Sequence, residues 1–369
     1  MKRLLLLILI CVCLFSCDKK ETFKVRNIGR VEIDTVKGFK GYSIRAIEIA
    51  NGRIWLAGSD GLFGRIRGIK YTHSNDESKV FSYEPESIHN DYSYIAHQMN
   101  SDTTGYELRA EAKINDKYFV LTAGNPAILT KYDSIGRKIV YRENDSKAFY
   151  DSMDFWNDEE GIAIGDPTED CMSVIITLDG GNTWHKLSCD SLPKVKEGEA
   201  AFAASDTNIA IVGDNTWVAT GGKASRVMYS PDKGKTWKVY ETPIVQGSET
   251  TGIYSIDFYD ELHGFAIGGD YTKPDDNATN KIRTNDGGKT WELVAQNKSP
   301  GYRSCVQYIP DREGKELVAI GFKGIDYSND SGTSWKHLSD EGFYTIRFLN
   351  DSIAYAAGKG RISKLTFRE

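Results

Sequence analysis

The segment Thr177-Leu178-Asp179-Gly180-Gly181-Asn182-Thr183-Trp184 decides the fold, because its pattern recurs three more times in the chain. Each copy places Ser or Thr, Asp, Gly, a second Ser or Thr, and Trp at the same spacing. Successive tryptophans are 53, 54 and 44 residues apart, which matches a propeller blade with its loops. The other copies cover residues 230–237, 284–291 and 328–335.

The residue types of this box suit a tight turn between two strands. The Asp side chain can accept hydrogen bonds from turn amides, the Gly can adopt a positive φ, and the Trp buries a large ring. The pattern resembles the Asp-box, or BNR repeat, of sialidase-like β-propellers. That resemblance implies a fold and no particular activity.

A second element, an apolar strand that ends in glycine, lies upstream of each box and recurs where the box is absent. Its copies predict an all-β fold: a seven-bladed β-propeller with four-stranded antiparallel blades. The last copy is followed by too few strands, so we expect the amino-terminal segment 23–36 to supply its outermost strand and close the ring. The copies are residues 54–58, 120–124, 162–165, 209–213, 265–268, 318–321 and 354–358.

The amino terminus has the pattern of a secretion signal. Two positive charges precede the apolar residues 4–14, and Leu14-Phe15-Ser16-Cys17 resembles a lipobox. We expect residues 1–16 to be a lipoprotein signal peptide, Cys17 to be lipidated, residues 17–22 to include the tether, and residues 23–369 to form one propeller domain. The lipid would hold the protein at the cell envelope, on the periplasmic or surface side of a membrane. An ordinary secretory signal is the alternative.

Charge and motif content argue against several function classes. The 46 basic and 52 acidic residues give a net charge of -6, so nucleic acid is not an expected partner. The sequence has no dinucleotide-binding fingerprint or CxxC pair, and its six histidines lack ligand spacing. We therefore expect no cofactor and no metal site.

Three cysteines remain beyond Cys17. Cys171 and Cys189 flank the hairpin of the first box almost symmetrically, so we expect them to face each other and form a disulfide in an oxidising compartment. Cys305 is expected to be a small buried residue.

The long loops are expected on the face opposite the boxes, where they favour a binding site. Aligning the blades places one residue of each near the start of its innermost strand, around the mouth of the central channel: Arg45, Arg109, Ser152, Glu199, Tyr254, Arg303 and Tyr344. Asp166 and Asp214 are expected on the same rim. Alternatively, the arginines pair with the aspartates to satisfy a polar channel, or the aspartates are turn residues. The candidate ligand-binding residues are Arg45, Arg109, Asp166, Glu199, Asp214, Arg226, Tyr254 and Arg303.

Further segments together resemble one bacterial family of BNR-repeat propellers, similar to photosystem II stability and assembly factors. The segments are residues 155–157, 161–167, 198–205, 217–222, Ser225-Arg226-Val227 and 301–304. The resemblance implies a scaffold that helps to assemble or hold other proteins.

Two functions follow as expectations. The first is a monomeric, envelope-anchored binding or assembly scaffold that recognises an envelope protein or a small anionic ligand on the long-loop face. The alternative is a sialidase-like glycoside hydrolase, in which three rim arginines hold a carboxylate, Tyr254 or Tyr344 is the nucleophile and Glu199 is the base. Against it, the Phe/Tyr-Arg-Ile-Pro motif is absent, and sialidases have six blades.

Overall fold

The computed structural model describes residues 23–67 and 105–369. The predicted signal peptide (residues 1–16), the lipidated Cys17 and the tether (residues 17–22) lie outside the described residues. Within the described ranges, no helix is long and apolar enough to cross a membrane.

The regular secondary structure of the described chain is almost wholly strands, with two short 3-10 helices, Ser59–Gly61 and Cys189–Ser191. In chain order the strands are β1 (Arg30–Ala50), β2 (Arg53–Gly58), β3 (Phe63–Arg67), β4 (Leu108–Ile114), β5 (Lys117–Thr122), β6 (Ala127–Tyr132), β7 (Arg137–Glu143), β8 (Tyr150–Phe155), β9 (Gly161–Gly165), β10 (Ser173–Thr177), β11 (His185–Lys186), β12 (Glu199–Ala200), β13 (Ile209–Val212), β14 (Asn215–Ala219), β15 (Gly221–Gly222), β16 (Arg226–Ser230), β17 (Lys238–Glu241), β18 (Thr251–Phe258), β19 (Gly264–Asp270), β20 (Lys281–Thr284), β21 (Glu292–Leu293), β22 (Cys305–Tyr308), β23 (Leu317–Gly321), β24 (Gly324–Ser328), β25 (Lys336–Ser339), β26 (Thr345–Phe348) and β27 (Ile353–Arg368).

The strands form antiparallel sheets around a central channel, so the prediction of an all-β propeller is confirmed. Sheet I has the order β26-β27-β1-β2-β3, sheet II β4-β5-β6-β7, and sheet III β11-β10-β9-β8. Sheet IV has the order β13-β14-β16-β17, sheet V β12-β15-β18-β19-β20-β21, and sheet VI β22-β23-β24-β25. The strands that face the channel are β1, β4, β8, β13, β18, β22 and β26.

The predicted number of seven blades, each with four strands, is wrong: the described strands form six sheets, two of which are larger. The cause is β1, whose first part pairs with β27 and whose last part pairs with β2. Strands assigned to a first and a last blade therefore belong to one sheet. The predicted closure is wrong for the same reason, because β1 lies inside sheet I and is not the outermost strand of a separate blade.

The hydrophobic core lies between neighbouring sheets. Trp217 of β14 stacks on Phe258 of β18, with ring centroids 3.7 Å apart, and its indole N–H donates to the Gly287 carbonyl at 2.9 Å. Strand β19 is buried along its whole length because other sheets cover both of its faces. A strand buried on both faces has a nearly continuous apolar sequence, which explains the glycine-ending element.

The four boxes form turns with the same hydrogen bonds. In the third box, Asp286 Oδ1 accepts from the Thr290 N–H at 2.9 Å and from the Thr284 hydroxyl at 2.8 Å, and Oδ2 accepts from the Thr290 hydroxyl at 2.7 Å. The Gly288 N–H donates to Thr284 Oγ1, and its φ of +81° favours glycine. These bonds explain why the residue types recur. That the turns belong to the BNR family stays a prediction.

Replacing Asp286 by Ala should lower the free energy of unfolding by about 2 kcal/mol, because the turn loses three hydrogen bonds to a charged acceptor. Urea denaturation would measure the loss. The matched control is Asn285→Ala, an exposed neighbour in the same turn, which should stay within about 0.5 kcal/mol of the parent. Equal stabilities of the two variants would contradict the structural role of the box.

The boxes define one face of the propeller. Backbone bonds join each box to the connection between the channel strand of its sheet and the strand that follows it: Gly180 N to Glu159 O, Lys233 N to Asp214 O, Gly287 N to Leu262 O, and Ser331 N to Lys315 O. We call this face the box face. The opposite face, where the channel strands begin near Arg45, Tyr254 and Tyr344, we call the rim face.

Candidate functional site

Two arginines stand next to each other on the rim face. Nη1 of Arg109 donates to the Ala203 carbonyl at 3.2 Å, and Nη1 of Arg45 donates to the Ala204 carbonyl at 3.2 Å. The guanidinium of Arg45 also lies over the Tyr344 ring, 4.0 Å from its centroid. Consecutive backbone carbonyls thus hold both guanidinium groups at the mouth of the channel.

The charge of this arginine pair is incompletely compensated. Burial, and then the charge of Arg45, lower the pKa of the Arg109 guanidinium. Glu107 is an acidic partner of Arg109, at 3.0 Å, and its side chain is 44% exposed. The Nε atoms of both arginines are buried and have no hydrogen-bond partner within the described residues. An incoming oxyanion bound to the partly exposed side chains would relieve the repulsion.

Aromatic rings continue the surface from the arginine pair. Tyr254 stacks on Phe202 with centroids 4.0 Å apart and meets Tyr302 edge to face at 4.8 Å. Tyr271 and Phe322 pack against Tyr302 while remaining 49% and 42% exposed. The rim patch is defined as the set Arg45, Arg109, Phe202, Tyr254, Tyr271, Tyr302, Phe322 and Tyr344. Exposed aromatic rings beside arginines are typical of protein-binding surfaces.

Several rim-patch residues were not among the sequence candidates. Tyr302 directly precedes Arg303, and Tyr271 lies in one of the long loops, so both were within reach of the sequence argument. Phe202 and Phe322 carried no comparable signal.

Below Arg109 lie two acidic side chains, the buried Asp151 and the half-buried Asp166. Asp166 Oδ1 accepts from the Ala201 N–H at 2.8 Å, and burial raises the pKa of this carboxyl to about 6. Burial and the neighbouring Asp166 raise the pKa of Asp151 far above its usual range, and Arg109 opposes this effect. Asp166 therefore lies near the arginine pair, as the sequence suggested, but it supports the loop at residue 201.

Residues 203–207, which we call the channel segment, cross the central channel beneath the rim patch. Asp206 accepts from the backbone N–H groups of Glu111 in β4 and Met153 in β8, both at 3.1 Å. Its carbonyl accepts from Arg347 of β26, and the Thr207 carbonyl accepts from the Ile256 N–H of β18. The segment ties opposite sides of the channel together and forms the floor of the rim patch.

The repeat pattern predicts that Glu199 begins an innermost strand, and this placement is wrong. Glu199 lies in β12, ahead of the channel segment, and forms a buried ion pair with Arg226 at 2.5 Å. It also accepts from the Thr220 hydroxyl at 2.6 Å and the Lys196 N–H at 2.8 Å. Glu199 and Arg226 satisfy each other, so this pair matches the structural alternative.

Asp214 is also misplaced by the sequence argument. It lies in the turn between β13 and β14, on the box face, with Oδ1 3.5 Å from Nζ of Lys233. The error arises because residues 209–212 form the innermost strand of sheet IV, whereas residues 265–268 belong to β19, the strand that follows the channel strand β18 in sheet V.

Arg303 is buried and bound within the rim. Its guanidinium contacts Asp326 Oδ2 at 2.6 Å, and Nη1 donates to the Tyr302 carbonyl at 2.8 Å. Asp326 also contacts His337 at 3.0 Å; although burial lowers the pKa of His337, this contact and that with Asp340 raise it overall. Arg303 therefore positions Tyr302.

Tyr254 lies in the rim patch with its hydroxyl committed, since it donates to the Thr250 carbonyl at 2.9 Å. Burial raises the pKa of this hydroxyl, which disfavours the phenolate form. The buried ring supports the rim patch through its contacts with Phe202 and Tyr302.

The box-face end of the channel holds a cavity of about 300 Å³ lined by acidic side chains. Burial raises the pKa of Glu48 to about 7, aided by Asp154, and raises those of Asp154 and Asp257 to about 6 and about 7. Burial also raises the pKa of Glu111 and Asp206. Arg347 brings a positive charge to the same cavity.

Because the pKa values of these carboxyls are raised in the folded protein, we expect the free energy of unfolding to fall by several kcal/mol as pH rises from about 4 to about 7. A carboxyl whose pKa is raised by folding stabilises the native state below its unfolded pKa, and that stability is lost as pH rises through the folded pKa. The box aspartates oppose this trend only below about pH 4, because turn hydrogen bonds, against the effect of burial, lower their pKa.

Urea denaturation at a series of pH values would measure this slope. In the parent, Glu48 accepts a hydrogen bond from the Lys113 N–H at 2.8 Å, and the Glu48→Gln variant keeps an oxygen for it. Because glutamine does not titrate, this variant should reduce the pH dependence of the unfolding free energy by the contribution of one carboxyl. An unfolding free energy that rises between pH 4.5 and 7 would contradict the prediction.

Cys171 and Cys189 form a disulfide, with Cα atoms 5.4 Å apart, and Cys305 is a free, buried thiol. In the part of the chain that the structure describes, no group of three or more His, Cys, Asp or Glu side chains is placed to hold a metal ion.

No family model matches the chain, and no curated protein sequence matches it. Solved structures do. YCF48 bound to D1 peptide superposes with a TM-score of 0.61 at 13% identity, over 94% of this chain and 98% of that one. YCF48 from Cyanidioschyzon merolae superposes with a TM-score of 0.62 at 12% identity, over 92% of this chain and 99% of that one. The WD40 propeller domain of Doa1 superposes with a TM-score of 0.56 at 10% identity, over 92% of this chain and 97% of that one. At these identities the similarity confirms the propeller fold.

Proposed function

We propose that this protein is a monomeric cell-envelope scaffold whose rim patch captures an acidic segment of a partner protein. The single observation that carries the proposal is the arginine pair: two adjacent, partly exposed side chains whose guanidinium groups are anchored on consecutive carbonyls, with one half-exposed carboxylate, Glu107, paired to Arg109. A carboxylate contributes about 1.5 to 3 kcal/mol per charge-assisted hydrogen bond at such a site. The proposal includes the lipid anchor at Cys17 and a single domain over residues 23–369.

The aromatic part of the rim patch favours a peptide over a small anion. Rings that are already packed against each other offer contact area at a low cost in conformational entropy. One similar propeller, YCF48, has been solved with D1 peptide bound, which is consistent with peptide capture by a propeller of this shape. We therefore expect the partner segment to carry carboxylates next to apolar or aromatic residues.

Binding of fluorescent peptides tests the proposal. The probes are short peptides rich in Asp and Glu with interspersed apolar residues, each paired with its Asn and Gln counterpart. We expect the acidic member of at least one pair to bind more tightly, and the Arg45→Ala/Arg109→Ala variant to weaken it at least about tenfold. The matched control is Arg283→Ala on the box face, where Arg283 pairs with Glu292 at 2.7 Å; its affinity should be unchanged. Equal affinities of the acidic and amide peptides, or of the parent and the double variant, would overturn the proposal.

The glycoside hydrolase is not favoured by any observation in the described residues. Six sheets remove the blade-count objection, but Glu199 is bound to Arg226, and Tyr254 donates its hydroxyl to a carbonyl. Arg303 is bound to Asp326, apart from the arginine pair.

A further inference from the structure

The first described residues are fastened to one particular place on the propeller. Arg26 pairs with the buried Glu316 at 2.7 Å, and the Arg26 backbone N–H donates to the same carboxylate at 3.1 Å. Arg312 donates to the Lys24 carbonyl at 2.8 Å and lies over the Phe23 ring, 4.9 Å from its centroid. Residues 23–26 therefore have a fixed position.

That position is on the box face. Arg312 and Glu316 belong to the connection between β22 and β23, and the neighbouring Lys315 carbonyl binds the fourth box through the Ser331 N–H. The side-chain amide of Asn329, within the fourth box, donates to the Arg26 carbonyl at 2.8 Å. Nη1 of Arg26 donates to the Ser352 hydroxyl at 3.1 Å, in the turn between β26 and β27. The chain leading to residue 23 thus arrives at the box face.

We propose that the box face of the propeller lies against the membrane surface and that the rim patch points away from it. This inference rests on the proposed lipid anchor at Cys17. From Cys17 to Phe23 the chain can extend at most about 20 Å, which keeps the box face close to the bilayer. The channel strands rise about 3.3 Å per residue, so the rim patch lies roughly 25 Å farther out. The rim patch is thereby open to partners in the aqueous compartment.

Fluorescence energy transfer to labelled lipids tests the orientation. The lipidated protein, reconstituted into phosphatidylethanolamine and phosphatidylglycerol vesicles, carries a donor dye at Leu262→Cys on the box face or at Lys323→Cys beside Phe322 on the rim face. Leu262 is 53% exposed and the Lys323 side chain 45% exposed, so both accept a label. Of the cysteines in the described residues, Cys171 and Cys189 are disulfide-bonded and Cys305 is buried, and the proposed lipid would block Cys17. We expect at least about twofold higher transfer efficiency from residue 262.

Two controls separate the orientation from the anchor. If vesicle flotation fails for the parent, or persists unchanged in Cys17→Ser, the lipid anchor is wrong and the orientation falls with it. If the protein floats through Cys17 but transfer from residue 323 equals or exceeds that from residue 262, the orientation alone is wrong. Inserting about 20 Gly and Ser residues after Lys20 should bring the two efficiencies together, because a long flexible tether no longer holds one face near the lipid.

Discussion

The Arg226→Ala variant is expected to lose about 3 to 5 kcal/mol of unfolding free energy. The Glu199 side chain is 1% exposed and that of Arg226 is 7% exposed, so removing the guanidinium leaves an uncompensated buried charge. The carboxylate would lose three hydrogen bonds from Arg226 and keep those from Thr220 and Lys196. Urea denaturation at pH 7 would measure the loss.

The control for this prediction is a surface pair in the same region. Lys196 and Glu241 are 2.7 Å apart with side chains 50% and 63% exposed, so Lys196→Ala should cost less than about 1 kcal/mol. The result that would contradict the structural role of Glu199 is a loss of similar size for the two variants.

The Asp206→Ala variant is expected to lose about 3 kcal/mol of unfolding free energy and to bind acidic peptides more weakly. Two buried N–H groups, those of Glu111 and Met153, would lose their acceptor. Because the channel segment also presents the Ala203 and Ala204 carbonyls, the arginine pair would lose its fixed geometry. Denaturation and the peptide titration report the two effects separately.

Comparison with two other variants makes this prediction specific. Asp206→Asn keeps one oxygen acceptor, so its unfolding free energy and its peptide affinity should lie between those of the parent and those of the alanine variant. Arg45→Ala/Arg109→Ala should weaken binding with little loss of stability, because both side chains are partly exposed. If Asp206→Ala leaves both stability and peptide affinity unchanged, the channel segment is not the support of the rim patch.

The propeller could be predicted from sequence because its signals are local. The box residues satisfy bonds within a few positions of one another, as Asp286 does with Thr284 and Thr290. The number of sheets could not be predicted from sequence, because it depends on the pairing of β1 with both β2 and β27, which lie at opposite ends of the chain. The two-residue strands β12 and β15, which enlarge sheet V, are too short to give a periodic pattern.

The site was predictable in part. Arg45 and Arg109 follow the repeat pattern, so the alignment placed both at the channel mouth. Glu199 and Asp214 were misplaced because apolar strands buried on both faces look alike, whether innermost or second in a sheet. The channel segment was missed because its role depends on bonds to residues 95 and 53 positions away, from Asp206 to Glu111 and Met153.

The most direct test of peptide capture by the arginine pair is NMR observation of the arginine Nε–H signals during titration with the tightest acidic peptide. The buried Nε donors of Arg45 and Arg109 have no protein partner in the described residues, whereas those of Arg226 and Arg303 bind Glu199 and Asp326. We predict that the signals of Arg45 and Arg109 shift with peptide concentration and that those of Arg226 and Arg303 stay in place. Saturation of the protein with peptide without a shift at Arg45 or Arg109 would contradict this account.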